Sequence, residues 1–325
     1  MPALIAAKGG VLARVLESRS RKRDNGLTGA ASRAFHAARM GTTWGALRQR
    51  SYALIEGDRV LASAERYALV GVLDGQAVDI CGIGSVCAEP TSRGPQHAGA
   101  LVEALVDDAA RRGAAMALLF PERDVDGVAP DEHDQFRAIV MTDLTLVVAE
   151  SQRHGAPMTT VRGGEPRDLA AIVAMGRIRA APVRFHLDRD VDFVQYVVTT
   201  RRLLAGLGPV AARQLQFFIA EEGITAAAYV IISVADNVWT LEECGDRDPS
   251  GARVGALLQA LIAREPGERR PAIRGWLPPR FLPPQVTIAS SGPSPAVIGL
   301  RLLGARSIAP PLSSDDVLFW RNDLL

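Results

Sequence analysis

Lysine is nearly missing from this chain of 325 residues: Lys8 and Lys22 are its only two, and arginine supplies the rest of the 37 basic side chains. Set against 36 acidic residues, this leaves a formal net charge of +1. That balance excludes broad nucleic-acid binding, which needs clustered cations to neutralise phosphates. Cysteine is scarce as well. Cys81, Cys87 and Cys244 are too few and too widely spaced for a disulfide framework or a zinc cluster, so reduced thiols and no metal are expected. No apolar run reaches membrane-spanning length, and residues 1–26 lack the continuous hydrophobic stretch of a signal peptide. Their basic, amphipathic character reads as an N-terminal helix followed by a basic loop, with a transit peptide as the other reading. A cytoplasmic location without a membrane partner is the expectation. Also missing are G-x-x-x-x-G-K-[ST], G-x-G-x-x-G after a strand, H-E-x-x-H and G-x-S-x-G, so nucleotide triphosphate, dinucleotide, zincin and serine-hydrolase readings lack their anchors.

What is present is an ordinary globular composition, 48% hydrophobic and 22% charged, in a chain long enough for two domains. The most informative stretch is 79–120. Val78, Ile80, Cys81, Ile83, Val86 and Cys87 read as a strand, which Pro90 ends because proline cannot donate to a ladder. Apolar residues then fall at Ala98, Leu101, Val102, Leu105, Val106 and Ala109, a helical stripe that stops at Gly113. The helix therefore starts in Arg93-Gly94-Pro95-Gln96-His97-Ala98. Its first N–H groups lack intrahelical acceptors and sit at the positive end of the helix dipole, a favourable place for an anion. Upstream, Tyr52 to Val86 reads as three successive antiparallel strands with turns at Glu56-Gly57-Asp58 and Asp74-Gly75, and 114–120 reads as a buried strand after the helix. Gly82 and Gly84 predict a bulge.

This block resembles the coenzyme A signature of the GNAT acyltransferases, in which a strand ending in V-x-x-x-P leads into Q/R-x-x-G-x-G/A and a long helix. Arg93 takes the first motif position and Ala98 the last, while Gln96 stands where the family usually has its middle glycine. The order strand, strand, strand, helix, strand matches the GNAT core from Trp44 to about Val148. The resemblance implies acetyl-CoA or another acyl-CoA as cosubstrate, held by Val86, Cys87, Ala88, Arg93, Gly94, Pro95, Gln96, His97 and Ala98, with the pantetheine arm lying like an extra strand where the sheet splays. It also implies transfer of the acyl group to a primary amine of a small molecule or peptide. A homodimer is compatible with it. The alternative reading is a catalytically silent acyl-CoA-binding or scaffold protein.

Many members of that family place a tyrosine before a G-F pair as proton donor to the thiolate. Here the matching stretch, 124–136, has Phe136 in the phenylalanine slot, Gln135 in place of the glycine and no tyrosine, so His133 is the substitute by type.

The second half repeats the theme after a boundary near 150–160. Pro166 to Met175 opens a helix, 213–245 gives three strand candidates with Glu222-Gly223 and Asp236-Asn237 as turns, and 250–265 gives a helix capped by Asp248 or Ser250. Acidic residues at this second junction make it a poor phosphate site. The expected architecture is α/β (α+β): two GNAT-like domains, 1–157 with the acyl-CoA site and 158–325 degenerate, each a mixed, mainly antiparallel twisted sheet flanked by helices. Pro278, Pro279, Pro283 and Pro284 read as a stiff connector, and Val317–Trp320 as a strand completing the second sheet. Glu243 and Asp323 are the carboxylates expected to hold and deprotonate a cationic amine.

Overall fold

The structure, a computed structural model, describes residues 2–22, 29–89, 91, 93–120, 136–150, 159–207, 214–235, 237–267, 270–304 and 310–325. The chain divides into two compact units. The first comprises 1–141, 294–313 and 324–325, and the second 142–293 and 314–323.

The first unit runs β1 (Ala3–Ala6), α1 (Gly9–Lys22), α2 (Gly29–Met40), α3 (Thr43–Arg48), β2 (Gln49–Glu56), β3 (Arg59–Leu73), β4 (Gln76–Ala88), α4 (Gly94–Arg111), β5 (Met116–Leu119) and the start of β6 (Arg137–Val148). Strands β1 to β4 are consecutive antiparallel neighbours, β5 joins β4 in parallel, and residues 299–302 pair antiparallel with β5. The two hairpin turns follow from local chemistry. Gly57 has φ +58, and Asp74 and Gly75 have φ +49 and +79, a left-handed pair of the kind that Asp-Gly accepts. Every residue of the predicted α4 stripe is buried, against Leu54, Ala62, Ala64, Cys81 and Ile83 of the sheet. A fully buried leucine contributes about 1.5–3 kcal/mol, so Leu101 and Leu105 alone fix α4 on the sheet more firmly than helix propensity does. Arg66 of β3 donates to Asp108 of α4 at 2.7 Å beside this core. Burial pushes the Cys81 thiol up to about 11 against the pull of Arg66, which leaves it a core filler rather than a nucleophile.

The second unit continues with the rest of β6, β7 (Thr159–Gly163), α5 (Leu169–Ala180), β8 (Phe185–Leu187), α6 (Val191–Leu207), β9 (Gln214–Glu222), β10 (Thr225–Ala235), β11 (Val238–Asp246), α7 (Ala252–Ile262), β12 (Ala272–Gly275), the start of β13 (Val286–Leu302) and β14 (Val317–Leu318). Here β7, β9, β10 and β11 are successive antiparallel neighbours, β12 joins β11 in parallel, and residues 144–146 of β6 pair antiparallel with β12. Each unit therefore has a three-strand meander, a helix and then a parallel strand. This is the mixed, mainly antiparallel architecture that the sequence implied. β14 is short and pairs in parallel with β8. Pro278, Pro279, Pro283 and Pro284 lie in the segment without helix or strand that connects β12 to β13, and the seventeen-residue β13 that follows it, spanning Pro293 and Pro295, was not expected. Both prolines are exposed, and the pattern from Thr287 to Pro293 has no buried position that would have announced a strand.

Candidate functional site

In the first unit, β4 pairs with β5 only from Ile80 to Ile83, and the last link is the Phe120 amide donating to the Ile83 carbonyl at 2.8 Å. Beyond that point β5 has ended, while β4 continues to Ala88 with β3 as its partner on the other edge. The edge of β4 from Gly84 to Ala88 is thus released from β5 as it runs toward α4. A bulge lies in this stretch. Ser63 pairs with Cys87 and Glu65 with Gly84, so Ala64 faces both Ser85 and Val86. The residue in the left-handed region is Ser85, with φ +51, rather than either of the glycines expected to make the bulge. Gly84 is instead set by packing: a β-carbon there would lie 2.5 Å from the Leu325 carbonyl oxygen and 3.3 Å from the Tyr67 ring.

The strand then turns into α4. Glu89 donates its amide to the Leu61 carbonyl at 2.9 Å and its carbonyl accepts from Thr91 at 2.8 Å. Arg93 is the N-cap residue, exposed and with no side-chain cap, and Pro95 occupies the first turn, where a missing N–H costs nothing. Gly94 is buried, and any β-carbon on it would collide with the Glu89 carbonyl oxygen. The glycine is required for this turn to close. Gln96 is exposed, His97 is half-buried with an unbonded Nδ1 among the described residues, and Ala98 is buried under the helix. Val86 is buried and Cys87 and Ala88 are half-buried along the released edge. All nine residues expected at a cofactor site therefore line one strand, one turn and one helix start. No acidic residue stands in the first turn of α4. Proline 90 and His133 lie outside the described residues.

On the face of the sheet opposite α4 sits a cluster that the sequence did not announce. Glu65 is 3% exposed and accepts from Arg19 (2.8 Å), Gln49 (2.8 Å) and the Tyr67 hydroxyl (2.7 Å), while Arg39 pairs with it at 2.9 Å. Arg39 also donates to the Tyr67 oxygen at 3.0 Å. Burial and the two guanidinium groups hold the His36 imidazole below its ordinary range despite the attraction of Glu65. The available signal was the β3 pattern Ser63, Glu65, Tyr67, Leu69, in which a charge shares a face with aromatic and aliphatic core residues.

The second unit has the same frame with different contents. Tyr229 of β10 lies opposite Gly245 of β11, as Tyr67 of β3 lies opposite Gly82 of β4. Its hydroxyl donates to Glu243 at 2.7 Å, and Arg189 bonds both oxygens of that carboxylate at 2.9 and 2.8 Å. Arg189 also reaches Asp323 at 3.2 Å. Glu243 and Asp323 are therefore brought together, but at 0% and 1% exposure both are turned onto one guanidinium and present no oxygen to solvent. At the strand-to-helix junction, the Asp246 carboxylate accepts from the amides of Arg253 (2.8 Å) and Val254 (3.2 Å). Of the expected caps, Asp248 accepts from the Ser250 amide within the preceding turn, while the Ser250 hydroxyl accepts from Ala252, the first residue of α7, at 3.3 Å. A protein carboxylate thus fills the anion position of α7. Phe281 packs on Gly251, with Arg179 stacked 4.3 Å from the ring centroid, and closes the rest of the junction.

Two carboxylates sharing one buried guanidinium make Asp323 a titratable group at mildly acidic pH. Burial, opposed by Arg189 and reinforced by Glu243, lifts it from 3.8 to about 6. A raised acid favours the folded state when protonated, so its stabilising contribution is full below about pH 4 and is lost as pH rises through about 6. At about 1.4 kcal/mol per pH unit this amounts to about 3 kcal/mol. Asp323→Asn should remove that slope. Urea titrations of both proteins from pH 4.5 to 7.5 check it, and a difference in stability that stays constant over this range would contradict the assignment.

Comparisons with known proteins fit this geometry. Residues 31–126 match the family model described as an acetyltransferase (GNAT) domain. No similar sequence is found among curated proteins. Among solved structures, a GCN5-related N-acetyltransferase from Kribbella flavida superposes with a TM-score of 0.65 at 17% identity, covering 93% of this chain and 71% of the other. A GCN5-related N-acetyltransferase from Anabaena variabilis gives 0.66 at 11% identity, with 94% and 73% covered. N-myristoyltransferase from Saccharomyces cerevisiae, solved with bound myristoyl-CoA, gives 0.50 at 9% identity, with 94% and 79% covered. These likenesses establish a shared fold.

Proposed function

Starting from the match of residues 31–126 to the acetyltransferase (GNAT) domain, we propose that the first unit binds an acyl-CoA and transfers its acyl group to a primary amine. The observation that carries this reading is the released edge of β4, residues 84–88, running directly into the α4 start with no acidic side chain in its first turn. In this reading the pantetheine amide groups pair with the backbone of Val86 and Ala88 as an added strand would. The pyrophosphate lies at the α4 N-terminus, where backbone N–H groups and the helix dipole favour it and Arg93 adds a charge. Acyl transfer then requires that the amine be held against the thioester, lose a proton, and that the thiolate regain one. His133 remains the proton donor proposed by type.

The second unit is proposed as a degenerate copy. Asp246 and Phe281 occupy its junction, so an anion would meet a carboxylate there. Glu243 and Asp323 enter the proposal as the buried ion-paired frame of that unit rather than as ligands of the amine, because both face Arg189.

Acetyl-CoA at a hundredfold excess over its dissociation constant should stabilise the protein by about 2.7 kcal/mol, seen as a rise in melting temperature. A panel of amines with acetyl-CoA should release free thiol above the no-amine control. A thermal shift without thiol release would select the silent acyl-CoA-binding protein instead, and no shift at millimolar acetyl-CoA would remove both readings.

A further inference from the structure

One strand residue is held in a backbone conformation that its type does not favour. Among the described residues, the non-glycine positions with left-handed φ are Asp74, Ser85 and Arg280; Asp74 and Arg280 lie in turns, whereas Ser85, at φ +51, lies within β4. A glycine would take that φ without steric cost, yet β4 carries glycine at 82 and 84 and serine at the bulge itself. Strain of this kind points to a task for the side chain. Ser85 is 6% exposed and stands two residues past the hydrogen bond from the Phe120 amide to the Ile83 carbonyl, on the edge that β5 has released.

In the acyl-CoA reading, the pantetheine amides pair with Val86 and Ala88. Two methylenes separate the last amide from the sulfur, little more than the rise of about 3.3 Å for one strand residue, which brings the sulfur to Ser85 and short of the closed fork at Ile83. Neighbouring polar groups are committed elsewhere. The Tyr67 hydroxyl donates to Glu65, Cys81 belongs to the core beneath α4, and the Leu325 carbonyl that covers Gly84 on the Tyr67 face can only accept. Within residues 84–88, Ser85 carries the one hydroxyl.

We propose that the Ser85 hydroxyl donates a hydrogen bond to the thioester sulfur and stabilises the thiolate as it leaves. As the amine nitrogen bonds to the acyl carbon, the C–S bond breaks and its electron pair stays on sulfur; the thiolate then takes up a proton, in balance with the one the amine loses. Ser85 keeps its own proton throughout. Its hydrogen bond is stronger to a thiolate than to a thioester, and only that difference lowers the barrier. The inference rests on the acyl-CoA reading of the β4–α4 junction and adds a catalytic residue to that site.

Coenzyme A bound to an excess of the full chain tests this through the ultraviolet absorbance of its thiolate as pH is raised, measured against the same protein with desulfo-coenzyme A. The ionisation constant of the bound thiol should be about tenfold greater in the wild type than in Ser85→Gly and Ser85→Ala, with coenzyme A affinity at neutral pH changed by less than about threefold. Ser85→Gly should also raise the melting temperature by about 2–4 °C, because glycine relieves the strain, whereas Ser85→Ala keeps the strain and should not. Unchanged thiol ionisation in the two variants would overturn the proposal. So would a Ser85→Gly protein that melts below the wild type, since the hydroxyl would then be serving the fold. Failure of coenzyme A to bind the wild type would instead overturn the acyl-CoA reading on which the inference stands.

Discussion

Glu65→Ala is expected to destabilise the first unit by about 3–5 kcal/mol, because it leaves a buried guanidinium without its counter-ion. The expectation comes from position as much as from charge. Arg19 of α1 and Arg39 of α2 are 3% and 5% exposed, and Glu65 is the carboxylate that both of them bond. The same carboxylate accepts from Gln49 and Tyr67, so four donors on α1, α2, β2 and β3 converge on one side chain. A surface ion pair would contribute well under 1 kcal/mol, and the difference here is desolvation: water cannot replace the lost oxygen atoms. Glu65→Gln keeps the shape and one acceptor and should cost less than the alanine change, though still more than a surface substitution. Hydrogen exchange of the β2 and β3 amides reads the loss locally, independently of how the second unit unfolds. A loss below 1 kcal/mol in the alanine variant would mean that the helices reorganise to solvate their arginines.

The parts of this architecture legible in the sequence are those whose signals are local. The β2–β3–β4 meander is announced by Gly57 and Asp74-Gly75, which supply the left-handed φ values the turns require, and α4 by an apolar stripe that is buried at every position. The residues of the β4–α4 junction, 86–88 and 93–98, fall within one short stretch, so a single local motif points to all of them. What escaped is non-local. β13 carries Pro293 and Pro295 and no alternation over its exposed first half, so no period-two signal marks it. The cap of α7 comes from Asp246, seven residues before the amide it bonds, outside the window in which capping patterns are read. The arginines of α1 and α2 look solvated in one dimension, and only the partner strand shows them to be buried. In the sequence Glu243 stands out as an acidic strand end and Asp323 as a carboxylate near the end of the chain given. They are indeed neighbours, yet the side chain that unites them, Arg189, sits before α6 in a segment without a signal.

Gly94→Val is expected to abolish acyl-CoA binding at micromolar concentrations while leaving most of the first unit folded. The Glu89 carbonyl lies where the new β-carbon must go, so the turn from Glu89 to Arg93 has to open and the first turn of α4 has to shift. The core contacts of the helix begin at Ala98 and continue to Ala109, well beyond the disturbed end, and they keep α4 on the sheet. The amide groups proposed to hold the pyrophosphate belong to the disturbed end. Losing about two charge-assisted hydrogen bonds at about 1.5 kcal/mol each corresponds to about a hundredfold in affinity. Asp246→Ala in the second unit provides the contrast, since it uncaps α7 and should lower stability by about 1 kcal/mol without changing affinity for coenzyme A. The two variants, titrated with coenzyme A alongside the wild type, separate a single junction from a distributed site. Equal loss of affinity in both would mean that the second unit also takes part in holding the cofactor, and undiminished binding in Gly94→Val would place the phosphates away from the α4 N-terminus.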